Sequence, residues 1–147
     1  MRILKFLLIA LCCFAVSACS CRTRRTADDA AIPMAEEESV LEDIYFAFDS
    51  YELCDKNKGI LDEHVEWLKA NPESTVIIEG HCDERGTNEY NMVLGAHRAN
   101  AAMEYLVSKG IESNRLSTIS YGEDLPLDPG HDEAAWAKNR RDHFVVK

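Results

Sequence analysis

Two absences in this 147-residue chain exclude whole classes of protein. Positive charge is scarce, because 16 Lys and Arg residues stand against 26 Asp and Glu residues and the net charge is −10. Binding to phosphates needs a basic face, so we exclude nucleic acid as a partner. A long apolar run is also missing. The longest run, residues 6–16, has about eleven residues against the roughly twenty that a membrane-spanning helix needs.

Cysteine is too scarce for a fold held together by disulfides. Of the six cysteines, Cys12 and Cys13 lie inside the apolar run and four follow it. A hydrophobic content of 46% is that of an ordinary globular protein, so a core can form without such bridges. A disulfide between Cys54 and Cys82 stays open at this stage. Two free thiols are the interpretation we favour, because the geometry of a bridge is demanding.

The N-terminus has the features of a secretory signal. Arg2 and Lys5 precede the apolar run, and the tetrad Val-Ser-Ala-Cys at 16–19 follows it. The tetrad resembles the lipobox of bacterial lipoproteins, which implies cleavage before Cys19 and attachment of an S-diacylglycerol and an N-acyl chain to that residue. Acyl chains contribute roughly 0.8 kcal/mol per buried methylene, so this anchor would be effectively permanent. An ordinary signal peptide with an incidental cysteine is the alternative.

The composition divides the chain into three parts. We predict a lipoprotein signal peptide over residues 1–18, a lipidated N-terminus and disordered linker over 19–41, and one folded domain over 42–147. The linker begins with three arginines, closes on three glutamates and shows neither helical nor strand periodicity. As a flexible coil it would average roughly 25 Å, and it would reach roughly 70 Å when fully extended. Such a segment suits a tether to a membrane.

From residue 42 onward, short strands and helices alternate. A period of two at Ile44, Phe46 and Phe48 predicts the first strand. The other predicted elements are a helix from Asp55 to Asn71, a strand at Thr75–Glu79, a helix from Thr87 or Asn88 to Lys109-Gly110, a strand at Leu116–Tyr121, a helix at Glu133–Asn139 and a strand at Phe144–Val146. The order βαβαβαβ predicts a single α/β domain, an α+β sandwich whose four-stranded mixed sheet packs against helices.

Two features of the long helix and the turn before it indicate a binding site. The polar stretch Gly-His-Cys-Asp-Glu-Arg-Gly at 80–86 lies at the end of the second strand, where ligands bind in open α/β sheets. Arg98 lies on an otherwise apolar stripe of the helix, where a guanidinium is costly unless an anion meets it. From spacing alone we favour an internal ion pair, with Asp83 as the candidate partner, over a ligand anion.

We disfavour an enzyme built on the same polar stretch. His81, Cys82 and Asp83 are consecutive, and adjacent residues of a strand point to opposite faces, so the three do not readily converge on a nucleophile or a metal. The remaining histidines are scattered, and no Cys-His pair stands at the spacing of a metal site. We therefore predict no catalytic residue, no metal and no cofactor apart from the lipid on Cys19.

The stretch 79–99 closely resembles the signature of OmpA-like peptidoglycan-binding domains. Further segments with the same resemblance are Tyr45–Asp49, Ser120–Glu123, 130–135 and 139–141, so that it covers about residues 42–147. The resemblance implies non-covalent binding of peptidoglycan through the diaminopimelate of uncrosslinked stem peptides. It implies that Asp83 meets the ammonium of that residue and Arg98 a carboxylate. The other implied wall residues are Phe48, Asp49, Thr87, Asn91, Leu94 and Arg140, the last of which could equally form a structural ion pair.

The lipobox, the linker and the domain together resemble lipoproteins of the Tol system. This resemblance implies an outer-membrane location facing the periplasm, with TolB as a partner and TolA as a second candidate. It also implies a role in envelope integrity and in outer-membrane constriction during cell division. Another envelope lipoprotein that shares this domain but works outside the Tol system is the alternative.

Overall fold

The computed structural model describes residues 40–147; the predicted signal peptide, Cys19 and residues up to 39 of the predicted linker lie outside them. The elements are β1 (Ile44–Tyr45), α1 (Asp55–Ala70), β2 (Val76–His81), α2 (Asn88–Ser108), a 3-10 helix (Ser113–Arg115), β3 (Leu116–Gly122), α3 (Glu133–Asn139) and β4 (Arg141–Val146). The predicted order βαβαβαβ is confirmed. No helix of the described part is long and apolar enough to cross a membrane.

The strands form one mixed sheet in the order β1-β4-β2-β3. β2 and β3 run parallel, whereas β4 is antiparallel to both of its neighbours, β1 and β2. The predicted four-stranded mixed sheet is therefore confirmed. α1 and α2 pack together, and α2 also packs on β2 and β3. The core lies between sheet and helices, where Ile44, Ile78 and Phe144 from the strands meet Leu61 and Leu106 from the helices.

The helix ends follow the local signals in the sequence. Thr87 precedes α2, and its side chain accepts a hydrogen bond from the backbone N–H of Tyr90 at 3.2 Å. At the other end, Gly110 has a φ of +94°, a left-handed conformation that ends helices and favours glycine. α1 ends at Ala70, and the next residue, Asn71, donates from both its side chain and its backbone N–H to the carbonyl of Trp67.

The first strand is shorter than we predicted. β1 has two residues, and only Ile44 and Phe46 of the alternating set are buried. Phe46 still donates its backbone N–H to the carbonyl of Arg140, but Asp49 then turns the chain with a φ of +53°. Phe48 is 56% exposed. The alternating pattern predicted a strand that reaches Phe48, but this side chain packs at a surface pocket and not in the core.

Two glycines allow α2 to approach β2 closely. A Cβ atom built on Gly80 would lie 2.0 Å from the backbone oxygen of Gly95, and a Cβ on Gly95 would lie 2.4 Å from the hydroxyl of Ser120. Real side chains do not tolerate such distances, so both positions need glycine. This close packing brings the first half of α2 against the end of β2, where the polar stretch begins.

Cys54 and Cys82 are both free, and the favoured interpretation of two thiols is confirmed. Cys54 is exposed at the start of α1, whereas Cys82 is buried after β2. The two cysteines therefore differ in their surroundings, and no bridge joins the two segments.

Candidate functional site

A pocket of about 230 Å³ opens at the end of β2, beside the first half of α2. It is lined by Phe48, Asp49, Cys82, Asp83, Arg85, Gly86, Tyr90, Asn91, Leu94, Arg98 and Arg140. Seven of the eight predicted binding residues are among them. Thr87, the eighth, caps α2 and does not line the pocket. The structure thus gathers the predicted residues from four separate segments, while their roles toward a ligand stay predictions.

Arg98 is a fully buried cation held by neutral groups. Its Nε donates to the carbonyl of Ser50 at 2.8 Å, and its Nη1 donates to the carbonyl of His81 at 2.8 Å. Nη2 donates to the carbonyl of Ala47 at 3.3 Å, and Nη1 also reaches the sulfur of Cys82 at 3.5 Å. Burial lowers the pKa of Arg98 from its ordinary value, while nearby acidic groups oppose that shift.

The internal ion pair that spacing favoured is not formed. Asp83 pairs with Arg85 and Arg140, and Arg98 has no carboxylate within 4.0 Å among the described residues. The prediction failed because residues far apart in the chain supply the partners of Arg98 and one of the two partners of Asp83. Carbonyls of the segment after β1 and of the β2 end satisfy Arg98, and a residue preceding β4 reaches Asp83.

Both carboxylate oxygens of Asp83 accept hydrogen bonds in the structure. Its Oδ1 accepts from the backbone N–H and the Nε of Arg85 at 3.1 and 3.3 Å. Its Oδ2 accepts from Nη2 of Arg85 at 2.7 Å and from Nη1 of Arg140 at 3.0 Å. Burial alone would raise the pKa of Asp83, but the hydrogen bonds from the two arginines outweigh burial and lower it. The group is therefore an anion at neutral pH.

Arg85 is a site residue that the sequence interpretation missed. Its guanidinium lies 4.0 Å from the ring centre of Phe48 and 4.3 Å from that of Trp136. Its side chain is 31% exposed, against 4% for Asp83 and 8% for Arg140. Arg85 therefore closes the outer side of the pocket over Asp83. Its place in the polar stretch was a usable signal, but the aromatic rings that hold it come from distant segments.

Arg140 is both a wall residue of the pocket and a member of a structural ion pair, the two interpretations that the sequence left open. It lines the pocket, and it pairs with Asp83 at 3.0 Å and with Glu133 at 2.8 Å. Its Nε also donates to the carbonyl of Phe46 at 3.2 Å. Arg140 thus ties the end of β1, the polar stretch and α3 together behind Asp83.

The remaining pocket wall combines an amide and a phenol. Asn91 is buried and donates to the backbone carbonyls of Asp83 at 3.2 Å and Arg85 at 3.4 Å, which holds the polar stretch in shape. Tyr90, which sequence reasoning also missed, donates its hydroxyl to Asp49. Both contacts run from α2 to loops, so α2 organises the pocket.

His81 and Cys82 do not form a nucleophilic pair. The imidazole of His81 is buried against Tyr121, with ring centres 5.5 Å apart, and burial lowers its pKa to about 3. The thiol of Cys82 donates to the carbonyl of Asn91, and burial raises its pKa to about 11. Both groups are neutral at pH 7 and no hydrogen bond joins them. Within residues 40–147, no group of three His, Cys, Asp or Glu side chains could hold a metal ion.

Comparisons with known proteins identify the family of this chain. The model of the OmpA family matches residues 45–140. A peptidoglycan-associated lipoprotein of Haemophilus influenzae is 41% identical over 95% of this chain and 95% of its own length. One from Pasteurella multocida is 50% identical over 67% of this chain and 65% of its own length.

Solved structures of similar proteins have the same fold. The crystal structure of the peptidoglycan-associated lipoprotein from Burkholderia pseudomallei has a TM-score of 0.70 and 41% identity, and the match covers 71% of this chain and 89% of that chain. The C-terminal domain of Helicobacter pylori MotB, at 20% identity and a TM-score of 0.68, shares the fold. The chain therefore belongs to the OmpA family and, within that family, to the peptidoglycan-associated lipoproteins.

Proposed function

We propose that this chain binds peptidoglycan without covalent chemistry, by holding the diaminopimelate end of an uncrosslinked stem peptide in the pocket of Asp83 and Arg98. The names of the relatives describe association with peptidoglycan, which supports the class of ligand. A zwitterionic amino-acid end needs one anion and one cation a few ångströms apart, and the pocket offers both. No catalytic step forms part of the proposal.

The observation that carries the proposal is the incomplete hydrogen bonding of the buried Arg98 guanidinium. A guanidinium has five N–H donors. Four of them have partners here, two on Nη1 and one each on Nε and Nη2, and one N–H of Nη2 has none among the described residues. No carboxylate of the described residues lies within 4.0 Å of this buried cation, so its charge can attract an anion in the pocket. A ligand carboxylate would complete its hydrogen bonds and neutralise that charge.

The ammonium of the ligand would take the place of Arg85 on Asp83. Both oxygens of Asp83 are already engaged, so a second cation has to replace one of the two arginines. Arg85 is the more exposed of the two, and Phe48, one of the two rings on which it stacks, lines the pocket. Exchange of one cation for another leaves the buried carboxylate paired throughout, which limits the cost of binding.

The decisive experiment compares Arg98→Ala with Arg115→Ala. Arg115 is a matched control, because it also donates to three backbone carbonyls but lies outside the pocket. Both variants should lose stability, since each leaves carbonyls without a donor. Only Arg98→Ala should also weaken binding to diaminopimelate-type sacculi, by roughly 30-fold or more.

Pull-downs are run well below the melting temperature of each variant, so that loss of fold does not mimic loss of binding. Sacculi of the lysine type serve as the second ligand, because lysine lacks the carboxylate intended for Arg98. They should bind the unaltered chain more weakly. Equal binding of both arginine variants to diaminopimelate-type sacculi would remove the basis of the proposal.

We further propose that the chain is anchored to the outer membrane through lipid on Cys19, faces the periplasm and works in the Tol–Pal system, where it maintains the envelope and outer-membrane constriction during division. The partners proposed are TolB and, as a second candidate, TolA. We expect TolB to contact a surface that overlaps the pocket. In a titration, a soluble stem peptide should then displace TolB from the chain. Simultaneous binding of both at full occupancy would contradict the overlap.

A further inference from the structure

Asp142 is a carboxyl group buried without a hydrogen-bond partner. It is fully buried in β4, and neither of its oxygens has a donor among the described residues. Almost all buried polar groups in proteins are paired, because an unpaired one loses its hydration without compensation. A carboxyl group in this state needs an explanation, and the contacts of the pocket described above do not include it.

The register of the sheet places Asp142 between the two segments whose carbonyl groups hold Arg98. β4 lies between β1 and β2, and Asp142 is in register with Ile44 on one side and Gly80 on the other. Arg98 donates to the carbonyl of Ala47, just after β1, and to that of His81, at the end of β2. The partners of Arg98 therefore come from the two sides of β4.

Asp142 also lies on the correct face of β4. Residues two apart in a strand share a face, and Phe144 belongs to the core between sheet and helices. Asp142 therefore points toward the helices, where Arg98 arrives from α2. Asp142 and Arg98 are thus both buried on this side of the sheet, but they do not form a direct ion pair.

Several charged and titratable groups act on this pair. Arg98 from α2 favours the ionised form of Asp142, while Asp43 before β1 disfavours it. Cys82, Asp83 and Arg140 act on Arg98 from the pocket side. From α1, the imidazole of His64 meets Phe144, two residues along β4 from Asp142. Burial dominates and holds the pKa of Asp142 well above its ordinary value.

We propose that Asp142 is the internal counter-ion of Arg98, and that a ligand carboxylate binds at Arg98 together with uptake of one proton by Asp142. This inference rests on the proposed function, because the ligand is the one that Arg98 is proposed to hold. In molecules in which Asp142 is ionised before binding, it partly neutralises the guanidinium. When a second carboxylate arrives, two anions would share one cation in a space closed to water. Transfer of a proton from solvent to Asp142 removes the repulsion and leaves the ligand ionised.

The sign of the pH dependence follows from this coupling. Protonated Asp142 leaves the whole charge of Arg98 to the ligand, whereas ionised Asp142 competes with it. Affinity for the carboxylate ligand should therefore fall as pH rises from 5.5 to 8.5, by roughly tenfold. Asp142→Asn mimics the protonated form. It should bind as tightly at pH 8.5 as the unaltered chain does at pH 5.5, and its affinity should not change over that range.

The experiment is a calorimetric titration of the mature full chain in detergent with a soluble diaminopimelate stem peptide. Each titration is run in two buffers of different ionisation enthalpy, because the difference in heat gives the number of protons taken up. The unaltered chain should take up a measurable fraction of a proton, and Asp142→Asn and Asp142→Ala should take up none. Asp62→Asn, which removes an exposed carboxylate of α1 that pairs with Lys109 after the C-terminus of α2, should behave like the unaltered chain.

The outcomes separate the two proposals. Binding by the unaltered chain with the same proton uptake and the same pH profile in Asp142→Asn overturns the role of Asp142 and leaves the proposed function intact. Absence of peptide binding at every pH overturns the proposed function instead. In that case the carbon-13 signal of the Asp142 carboxyl still tests the counter-ion. Its titration should move to higher pH in Arg98→Gln, which removes the charge, and less so in Arg98→Lys, which keeps it; an unchanged titration in Arg98→Gln contradicts the pairing.

Discussion

At the scale of single residues, buried polar side chains determine how this domain responds to pH. His64 lies in the core face of α1 with its ring centre 4.5 Å from that of Phe144, and burial lowers its pKa to about 4. His81 is buried in the same way. Both are neutral in the folded state, whereas in the unfolded chain they take up protons below about pH 6.5. Each therefore stabilises the fold above that pH, and the contribution of His64 is lost as pH falls toward 4.

We expect His64→Leu to reduce the acid sensitivity of the domain. Between pH 7.5 and pH 5.0 the unfolded chain protonates at His64 and the folded chain does not, which lowers the free energy of unfolding by about 2 kcal/mol. Leucine suits the apolar face of α1 and removes this contribution. Denaturant unfolding of both chains at the two pH values measures the effect. His97→Gln, at an exposed histidine, is the control and should retain the full loss. An equal loss in His64→Leu would show that other groups cause it.

At the scale of elements, α2 links the fold to the pocket. It supplies Tyr90, Asn91, Leu94 and Arg98 to the wall, and its distance from the sheet sets where these side chains reach. That distance depends on Gly80 and Gly95, because any Cβ between them would collide with backbone or with Ser120. The helix and the binding pocket therefore depend on the same contact.

We expect Gly80→Ala to destabilise the domain by about 1–3 kcal/mol or more, because backbone atoms have to move to admit the methyl group. Gly59→Ala is the matched control in α1, where nothing lies within 4 Å of the added carbon. It should stabilise the domain by about 0.5–1 kcal/mol, since alanine loses less entropy in a helix. Midpoints of urea unfolding compare the two variants. Similar midpoints for both would mean that the approach of α2 to β2 is not tight.

At the scale of the whole molecule, a predicted anchor, a predicted tether and a folded domain follow one another along the chain. Leu41, the last residue of the predicted tether, is already buried in the core of the domain. The anchor and the tether stay predictions.

We expect Cys19→Ala to leave an unlipidated precursor that no longer fractionates with the outer membrane, because the acyl chains have no other attachment in the predicted lipobox. Cys21→Ala is the matched control two residues away and should be processed normally. Mass spectrometry of the N-terminus and membrane fractionation give the result. Normal acylation in Cys19→Ala would move the attachment site to Cys21 or to another cleavage point.

The sequence by itself determined the order and bounds of most elements, because periodicity, helix caps and glycine act locally. It also identified Asp83 and Arg98 as residues that local structure does not explain. Only the tertiary structure decided how they are paired. The partners of Asp83 and Arg98, the stacking of Arg85 between Phe48 and Trp136, and the burial of Asp142 all join segments far apart in the chain. Such contacts depend on the order of the strands in the sheet and on the close packing of α2 against β2. No local sequence pattern encodes either of these.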